Sequence, residues 1–528
     1  MKKLIALTLA LVLCLSVFAG CGGKETASGK SGGSEEVITL TVFDKNSGSK
    51  TFTEPVAQKI MEDLNIKIQV ENPTGDPSEK LNLMLSGQNY PDIVLIGQGE
   101  IVTRYIEAGA LIPLDDLIAE YGPDVVEIYG KTLNKTKHTD GKNYWLANWY
   151  GVDPDASAGV LMRKDLLAQI VGEERANSPE PFTQSEYIDI LKQFKEKFPT
   201  IGGKETVALT LNADAKNYVG TMRGMFGMKS YFETENGLEH EVKNPAYKEA
   251  MLFLNGLYSD GLLDKEWVIN KTEQWEQKLS SGIVFSTWNS YWDTDGVNNT
   301  LAATVGEDAQ FFCYKVVADG ISADQTTYNG RSTLGWDAIG ITDNCKNPEA
   351  AMKLMNYLAS EEGQYLLLWG LEGEHWTVEN GVHVPNEDLY NGLKNEFDQT
   401  SNDTGVRKWT WFIKNGYGSD GTPYDLTTKY VLTPTAEFAN KVFGESDRWD
   451  TADFANLEPA GSTPLGLKWQ KINDVYTQYY SKVINAANAD EAASVFDAMV
   501  AEMENAGLAD CEEYISEQYD ARMDLWYN

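Results

Sequence analysis

The amino-acid sequence predicts an α/β protein built from more than one lobe. The chain has 528 residues, and because a domain takes about 100–200 residues, this length corresponds to roughly two to four domains or lobes. Hydrophobic residues make up 42% of the chain and charged residues 23%, which is typical of a folded globular protein and excludes a multi-span membrane protein. Near the N-terminus, three strand patterns alternate with two helical patterns, an order that favours a largely parallel sheet.

The first strand is predicted at residues 37–44, where the sequence VITLTVFD alternates and is rich in β-branched side chains. Residues 54–64 follow, with their apolar side chains on one helical face. A second strand at 66–70, a helix over 81–85 and a third strand at 92–97 continue the alternation. Because helices separate consecutive strands, these segments predict a β-α-β-α-β unit.

Helix start signals recur later in the chain. Thr183 and Glu186 have the spacing of a capping box. Residues 244–245 and 347–348 are both Asn-Pro, which places an N-cap residue before a proline at the first helical position. A helix is also predicted over 490–507, where Gly507 is the expected stop. Further strands are predicted at residues 207–211, 282–288 and 334–341.

The N-terminus is typical of a bacterial lipoprotein signal peptide. Two lysines precede an uncharged apolar run at residues 4–18, which is too short to span a membrane. Residues 18–21, Phe-Ala-Gly-Cys, resemble a lipobox, so we expect residues 1–20 to be removed and Cys21 to be lipidated. The Gly- and Ser-rich residues 21–36 are predicted to form a flexible tether. This predicts an extracytoplasmic protein, lipid-anchored to the outer face of the cell membrane; secretion with an unmodified Cys21 is the alternative.

Charge and motifs narrow the class of function. The chain carries 44 Lys and Arg against 79 Asp and Glu, a net charge of −35, which would repel the phosphates of a nucleic acid. Residues 416–421 fit G-x-G-x-x-G, but Thr-Pro-Tyr follows instead of a helix, so dinucleotide binding is not predicted. Residues 153–157 begin like a calcium loop, but its twelfth position is Lys164 rather than glutamate. No cofactor and no metal are predicted.

Cysteine is sparse beyond the signal peptide. Cys313, Cys345 and Cys511 lie far apart and lack the CxxC or Cys/His spacing of a metal site. We expect three buried thiols, and a single disulfide between two of them stays open.

The aromatic residues carry more functional information. The chain contains 14 Trp and 26 Tyr, and several stand beside polar residues at predicted strand ends, where α/β lobes bind ligands. A sugar ring has an apolar C–H face and polar edges, so an indole flanked by polar side chains is a suitable partner. Such positions are Trp288 in Thr-Trp-Asn, Trp336 in Gly-Trp-Asp and Trp376 in Glu-His-Trp. The pattern indicates a carbohydrate site, although each Trp taken alone suits a core equally well.

Several segments, in order behind the lipobox, resemble the extracellular solute-binding proteins of bacterial ABC importers. The resemblance is to family 1, carbohydrate class, and to its long alginate-binding-like members. Its most specific segment is residues 347–376, NPEAAMKLMNYLASEEGQYLLLWGLEGEHW. The other matching segments are residues 81–94, 109–117, 161–166, 181–199 and 258–266.

The resemblance implies a two-lobed periplasmic-binding-protein-like fold of type II, in which each lobe is a sheet flanked by helices. The ligand is expected in a cleft at the hinge. The chain is expected to cross between lobes near residues 153–157, 332–334 and 370–373. The implied lobes are residues 37–154 with 335–370, and residues 155–334 with 371–528.

The resemblance also implies which residues face the cleft, with Asp44 and Lys45 at the first strand end among them. The expected ligand-binding residues are Asn46, Gln98, Trp149, Tyr150, Trp288, Trp292, Trp336, Asp337, Glu374, His375 and Trp376. Arg407 and Trp409 are added from composition rather than from a matched motif. Similar long members carry a calcium loop where this chain has residues 200–205, which lack the ligand carboxylates. This departure predicts no calcium there.

The implied function is capture of a carbohydrate, expected to be an oligosaccharide, and its delivery to the permease subunits of an ABC importer. We expect a monomeric protein that is not an enzyme. Arginines are few, and because uronates favour bidentate arginine, a neutral ligand is preferred over an acidic one. An extracellular glycoside hydrolase or lyase remains an alternative, because no pair of carboxylates stands out or is excluded. A peptide or amino-acid receptor of the same fold is the other alternative.

Overall fold

The computed structural model describes residues 37–48, 51–151, 159–214, 216–409, 411–443, 448–461 and 463–527. The predicted signal peptide 1–20, the lipidation site Cys21, the tether 21–36 and the crossover near 153–157 lie outside the described residues. Across the described ranges, no helix combines the length and apolar character that crossing a membrane requires.

Helices and strands are interspersed along the described chain. The strands are β1 (Ile38–Asp44), β2 (Ile66–Glu71), β3 (Ile93–Gly97), β4 (Leu146–Ala147), β5 (Trp149–Tyr150), β6 (Gly159–Arg163), β7 (Phe182–Thr183), β8 (Thr200–Ile201), β9 (Lys204–Glu205), β10 (Val207–Thr210), β11 (Tyr231–Thr234), β12 (Gly237–His240), β13 (Val284–Asn289), β14 (Phe311–Tyr314), β15 (Val316–Val317), β16 (Asn329–Arg331), β17 (Asp337–Ile341), β18 (Trp376–Glu379), β19 (Val382–Pro385), β20 (Ile413–Lys414) and β21 (Arg448–Asp450). The helices are α1 (Pro55–Leu64), α2 (Pro77–Gly87), α3 (Glu100–Glu107), α4 (Asp115–Tyr121), α5 (Pro123–Tyr129), α6 (Lys164–Val171), α7 (Glu173–Ala176), α8 (Gln184–Lys197), α9 (Tyr218–Met225), α10 (Pro245–Ser259), α11 (Thr272–Ser280), α12 (Asp295–Thr304), α13 (Pro348–Ala359), α14 (Glu361–Trp369), α15 (Glu387–Asn395), α16 (Phe397–Thr404), α17 (Leu426–Lys429), α18 (Pro434–Phe443), α19 (Pro464–Ile484), α20 (Ala489–Asn505) and α21 (Leu508–Tyr527).

The first sheet has the strand order β2-β1-β3-β17-β4. Strand β1 runs parallel to β2 and β3, with Val42 opposite Ile93, while β17 is antiparallel to β3 and β4. The predicted β-α-β-α-β unit is confirmed as β1 to β3 with α1 and α2. Strand β17 reaches the same sheet from far along the chain, which brings Asp337 beside Gly97.

The second sheet has the order β10-β13-β6-β14, with β10 parallel to β13 and the other pairs antiparallel. Every residue of β6, β13 and β14 is buried. A sheet whose strands are buried on both faces is covered on both sides, so side chains of these strands lie in a core regardless of their polar neighbours.

The predicted helix starts have the expected chemistry at two of the three positions. At α8, Thr183 Oγ1 accepts from the amide of Glu186, and the Glu186 carboxylate accepts from the amide of Thr183, which completes the capping box. Asn244 caps α10 through its side-chain oxygen. Helix α13 begins where predicted, but the Asn347 side chain makes no capping bond, because its backbone (φ −130°, ψ 63°) leaves the extended conformation of an N-cap.

Each of these two sheets lies in its own hydrophobic core, and the chain has the two-lobed α/β fold that the resemblance implied. The core around the first sheet also contains buried side chains between Trp376 and Val431, and the second core contains those of α18 to α20. The predicted boundary placed residues 371–528 in the second lobe. The structure corrects this for residues 376–431, because β20 pairs with β5 and carries Ile413 into the first core. The other boundaries stay predictions.

The three cysteines of the described residues are free thiols. Cys313 and Cys511 are buried as expected, but Cys345 is only half-buried. Burial raises the pKa of the Cys345 thiol to about 11, so this thiol stays protonated and weakly nucleophilic at neutral pH.

Candidate functional site

A buried carboxylate organises the strand ends of the first sheet. Asp337, at the start of β17, forms an ion pair with Lys45 at 2.8 Å and accepts a hydrogen bond from Asn46 Nδ2. Gln98 Nε2 donates to the carbonyl oxygens of Leu334 at 2.8 Å and Asp337 at 3.2 Å. The structure therefore brings together Asn46, Gln98 and Asp337, which the sequence separates by up to 291 positions.

Electrostatics limits what Asp337 can do. Burial raises the pKa of its carboxyl, and the Lys45 ammonium and the Asn46 amide oppose that rise. Because these side chains already bind the buried oxygens, Asp337 acts as an anchor for the loop after β1. Lys45, Asn46 and Gln98 are half-buried, so their remaining donors and acceptors are the part of this cluster that a ligand can reach.

Trp336 is the exposed aromatic residue at this edge, with 42% of its surface accessible. Its backbone is fixed, because Asn148 Oδ1 accepts from the amides of both Trp336 (3.1 Å) and Asp337 (2.9 Å). Gly335 precedes it at φ +69°, and a Cβ there would lie 2.6 Å from the Cβ of Trp149. Only glycine fits that approach, and the fixed backbone holds the Trp336 indole at the surface.

Trp292 is the corresponding exposed indole from the second half of the chain, with 38% of its surface accessible. It lies in a 3-10 turn that follows β13, edge-on to Tyr291 at 5.0 Å between ring centres. The guanidinium carbon of Arg331 is 5.1 Å from the ring centre of Trp292 and 5.1 Å from that of Trp149. Since Trp149 also lies against Gly335, these contacts link Trp292 to the edge that carries Trp336.

Two acidic residues follow Trp292. Asp293 accepts a hydrogen bond from Asn217 at 2.8 Å, and burial raises the pKa of its carboxyl. Burial, reinforced by repulsion from Asp293, raises the pKa of Asp295 to about 6. These carboxyl groups supply acceptors close to the Trp292 turn and disfavour an anionic ligand there.

Three aromatic residues expected to face the cleft are instead buried. Trp288 is 1% exposed, and its Nε1 donates to the hydroxyl of Tyr187 at 3.1 Å inside the second core. Trp149 is 4% exposed, and Tyr150 is fully buried and stacked on Tyr129 at 3.7 Å. We withdraw Trp288 and Tyr150 from the proposed contacts, because neither offers a ring face to solvent in this conformation. Trp149 contributes only through its neighbours.

Arg407 and Trp409 serve the first core. Trp409 is buried and its Nε1 donates to Glu54 Oε1 at 2.7 Å. Arg407 forms an ion pair with Asp425 at 2.9 Å. Both functional groups are taken up by these contacts, and we do not propose either as a ligand contact.

The Glu-His-Trp segment is also largely structural. Trp376 Nε1 donates to the carbonyl of Gly370 at 2.8 Å, and His375 Nδ1 accepts from the amide of Leu371 at 2.9 Å. Both side chains are buried, and burial lowers the pKa of His375. Glu374 alone is exposed. The hydrogen bonds of His375 and Trp376 close the turn after α14.

Arg331 is the residue of this region that sequence reasoning passed over. In the sequence, only the small number of arginines was used. The signal that could have identified Arg331 was its position directly before the expected crossover at 332–334.

Chemically, the site offers two exposed indoles, the half-buried donors Lys45, Asn46 and Gln98, and nearby carboxyl acceptors. In the described residues, no group of three or more His, Cys, Asp or Glu side chains is arranged to hold a metal ion.

Comparisons with known proteins agree with this architecture. The family model of the bacterial extracellular solute-binding proteins matches residues 55–371. Lipoprotein LipO of Bacillus subtilis is 22% identical over 406 residues, 72% of this chain and 74% of LipO. The fructooligosaccharide ABC transporter substrate-binding protein FusA of Streptococcus pneumoniae is 25% identical over 399 residues, 69% of this chain and 70% of FusA.

Among solved structures, the HMO-binding, ABC-transporter-associated solute-binding protein of Bifidobacterium longum infantis superposes with a TM-score of 0.67 at 17% identity. The superposition covers 92% of this chain and 99% of that protein. FusA and the Bifidobacterium protein are binding proteins by name. With a family model that spans more than half of the sequence and a shared two-lobed architecture, the chain belongs to the bacterial extracellular solute-binding protein family.

Proposed function

We propose that this chain is the substrate-binding lipoprotein of an ABC importer and captures an oligosaccharide without converting it. The observation that carries the proposal is the pair of exposed indoles, Trp336 at the edge of the first sheet and Trp292 after β13 of the second. Trp149 and Arg331 connect the two. In a two-lobed receptor, one large aromatic ring from each half can stack on each of the two faces of a sugar chain.

The chemistry of the surrounding side chains suits a carbohydrate. A sugar places its C–H face on an indole while its hydroxyl groups exchange hydrogen bonds with polar neighbours. Lys45, Asn46 and Gln98 provide donors at the Trp336 edge, and the carboxyl groups of Asp293 and Asp295 provide acceptors near Trp292. Two of the relatives support this class, since their names assign them fructooligosaccharide and HMO ligands.

The mechanism that follows is capture by closure. A ligand that touches both halves binds the closed arrangement more tightly, and shifts the population toward it by that difference in affinity. The closed protein is then recognised by the permease subunits. We further propose that lipid on Cys21 holds the monomeric protein at the outer face of the membrane, since two or more acyl chains give stable anchoring.

We expect Trp336→Ala and Trp292→Ala each to weaken oligosaccharide binding by about 1.5–3 kcal/mol, the burial value of a large apolar side chain. This corresponds to a roughly 10- to 150-fold rise in Kd. A thermal-shift screen of fructooligosaccharides, oligogalacturonides and chito-oligosaccharides selects the sugar, because a ligand of the native state raises the Tm. Titration calorimetry with that sugar then measures the Kd of each variant.

Phe397→Ala is the matched control, since Phe397 is 41% exposed at the start of α16 in the first half. Its loss is expected to leave the affinity unchanged. If both tryptophan variants bind the selected sugar as tightly as the unmodified protein, the site is misplaced.

A further inference from the structure

Arg331 lies where the two halves of the molecule meet. It is the last residue of β16, next to the expected crossover at 332–334. Its guanidinium contacts Trp149, whose ring belongs to the first core, and Trp292, which follows a strand of the second sheet. The two ring centres are therefore no farther apart than the sum of two 5.1 Å contacts.

The backbone that carries Arg331 is held from outside its own segment. Strand β16 pairs in parallel with β21, with Arg331 opposite Asp450. Asp450 accepts from the amide of Thr333 at 2.9 Å and from its hydroxyl at 2.5 Å. A Cβ at Gly330 would lie 2.5 Å from the Trp449 ring, so that indole presses directly on the strand. These contacts fix the point from which the Arg331 side chain extends.

Within the described residues, the Trp292 ring has two aromatic or cationic neighbours. Its described ring neighbours are Tyr291, which meets it edge-on, and Arg331. A guanidinium over an indole is attractive by about 0.5–2 kcal/mol, and its rigid plane stacks well on an aromatic face. An exposed indole without that contact would gain rotamer freedom, and a ligand would have to order it again on binding.

We propose that Arg331 is a positioning residue, whose guanidinium holds the Trp292 indole in the orientation that leaves one ring face open to the ligand. The effect on affinity rests on the proposed function, whereas the hold on Trp292 does not. Arg331 thereby connects the Trp292 indole of the second half to the strand beside the crossover and to Trp149 of the first core.

The contact itself is tested by 19F NMR of the whole folded protein, with both lobes, labelled with 5-fluorotryptophan. The Trp292 resonance is assigned by its disappearance in Trp292→Phe. In Arg331→Ala it is expected to move toward the position of free 5-fluorotryptophan, and in Arg331→Lys, which keeps a cation over the ring, to move less. An unmoved Trp292 resonance in Arg331→Ala would overturn the proposal.

The consequence is tested by calorimetry with the fructooligosaccharide kestose and with the sugar selected by the thermal-shift panel. Arg331→Ala is expected to raise Kd by about 3- to 30-fold, and Arg331→Lys by less. The matched control is Arg175→Ala, which removes a guanidinium 3.6 Å from the Phe182 ring in the second half. It is expected to leave Kd unchanged.

The outcomes separate the two proposals. If the Trp292 resonance moves and the Kd of a binding sugar does not, the positioning role is refuted while the carbohydrate function stands. If no oligosaccharide binds the unmodified protein, the proposed function fails, and the NMR measurement still decides whether Arg331 holds Trp292. Should Arg331→Ala fold poorly, Arg331→Gln removes the charge and the guanidinium while keeping a polar side chain, and the same two measurements apply to it.

Discussion

Replacing Trp288 by alanine is expected to destabilise the second half of the molecule by about 3–5 kcal/mol, the range for loss of a large aromatic side chain from a core. Trp288 is 1% exposed and belongs to the core around the second sheet. Its ring stacks on Phe253 at 6.1 Å between ring centres, and its Nε1 donates to the Tyr187 hydroxyl. The alanine variant would leave a cavity there and remove the indole donor from the Tyr187 hydroxyl, which keeps its hydrogen bond with Ser286 Oγ at 2.8 Å.

Urea unfolding followed by circular dichroism checks this result, with the shift in transition midpoint as the readout. Trp288→Phe is the companion variant, since it keeps a ring in the core and loses the hydrogen bond, and it should cost about 1 kcal/mol. Trp292→Ala is the more exposed counterpart and should lower the midpoint much less than Trp288→Ala. A Trp288→Ala protein that unfolds at the original midpoint but no longer binds sugar would return Trp288 to the ligand site.

Replacing Lys408 by methionine is expected to cost about 3–5 kcal/mol of stability, because it strands a buried carboxylate. Lys408 Nζ lies 3.1 Å from Glu54 Oε2, and both side chains are almost fully buried. Glu54 also accepts from Trp409 Nε1 at 2.7 Å and from the amide of Thr53 at 2.9 Å. The pair therefore fastens residues 408–409 to the residue that precedes α1.

The matched test is the double variant Glu54→Gln with Lys408→Met. It removes both charges and keeps a carbonyl acceptor for Trp409, so most of the lost stability should return. Chemical unfolding at neutral pH measures the free energy of unfolding of the unmodified protein, of Lys408→Met and of the double variant. If Lys408→Met alone is as stable as the unmodified chain, the Lys408–Glu54 ion pair is not buried as described. Residues 408–409 would then not pack on the first core in this way.

Local patterns in both lobes were predictable because they depend on neighbouring residues. The alternating run at 37–44 became β1, and the capping box of Thr183 and Glu186 starts α8. Helices α19 and α21 were not predicted, since no capping signal had been read at their starts. Local patterns also could not predict the strand order, because β17 joins the first sheet through partners hundreds of positions away.

Burial of individual aromatic residues was the main limit on predicting the site. Trp288 and Trp336 both stand beside polar residues at strand ends, yet one is a core residue and the other is exposed. What separates them is cover from distant segments: Tyr187 and Phe253 enclose Trp288, whereas the Gly335 turn leaves Trp336 outside. The same reasoning explains Trp409, whose partner Glu54 lies 355 positions away.

We expect the protein to hold an oligosaccharide and to return it unchanged. The most direct test is titration calorimetry of the purified chain against the oligosaccharide panel and a set of peptides, followed by mass spectrometry of the sugar recovered from the complex. We expect saturable binding of at least one oligosaccharide, weakened by Trp336→Ala, with a recovered mass equal to that added. Shortened or eliminated sugar products, or binding of peptides with no oligosaccharide bound, would contradict it.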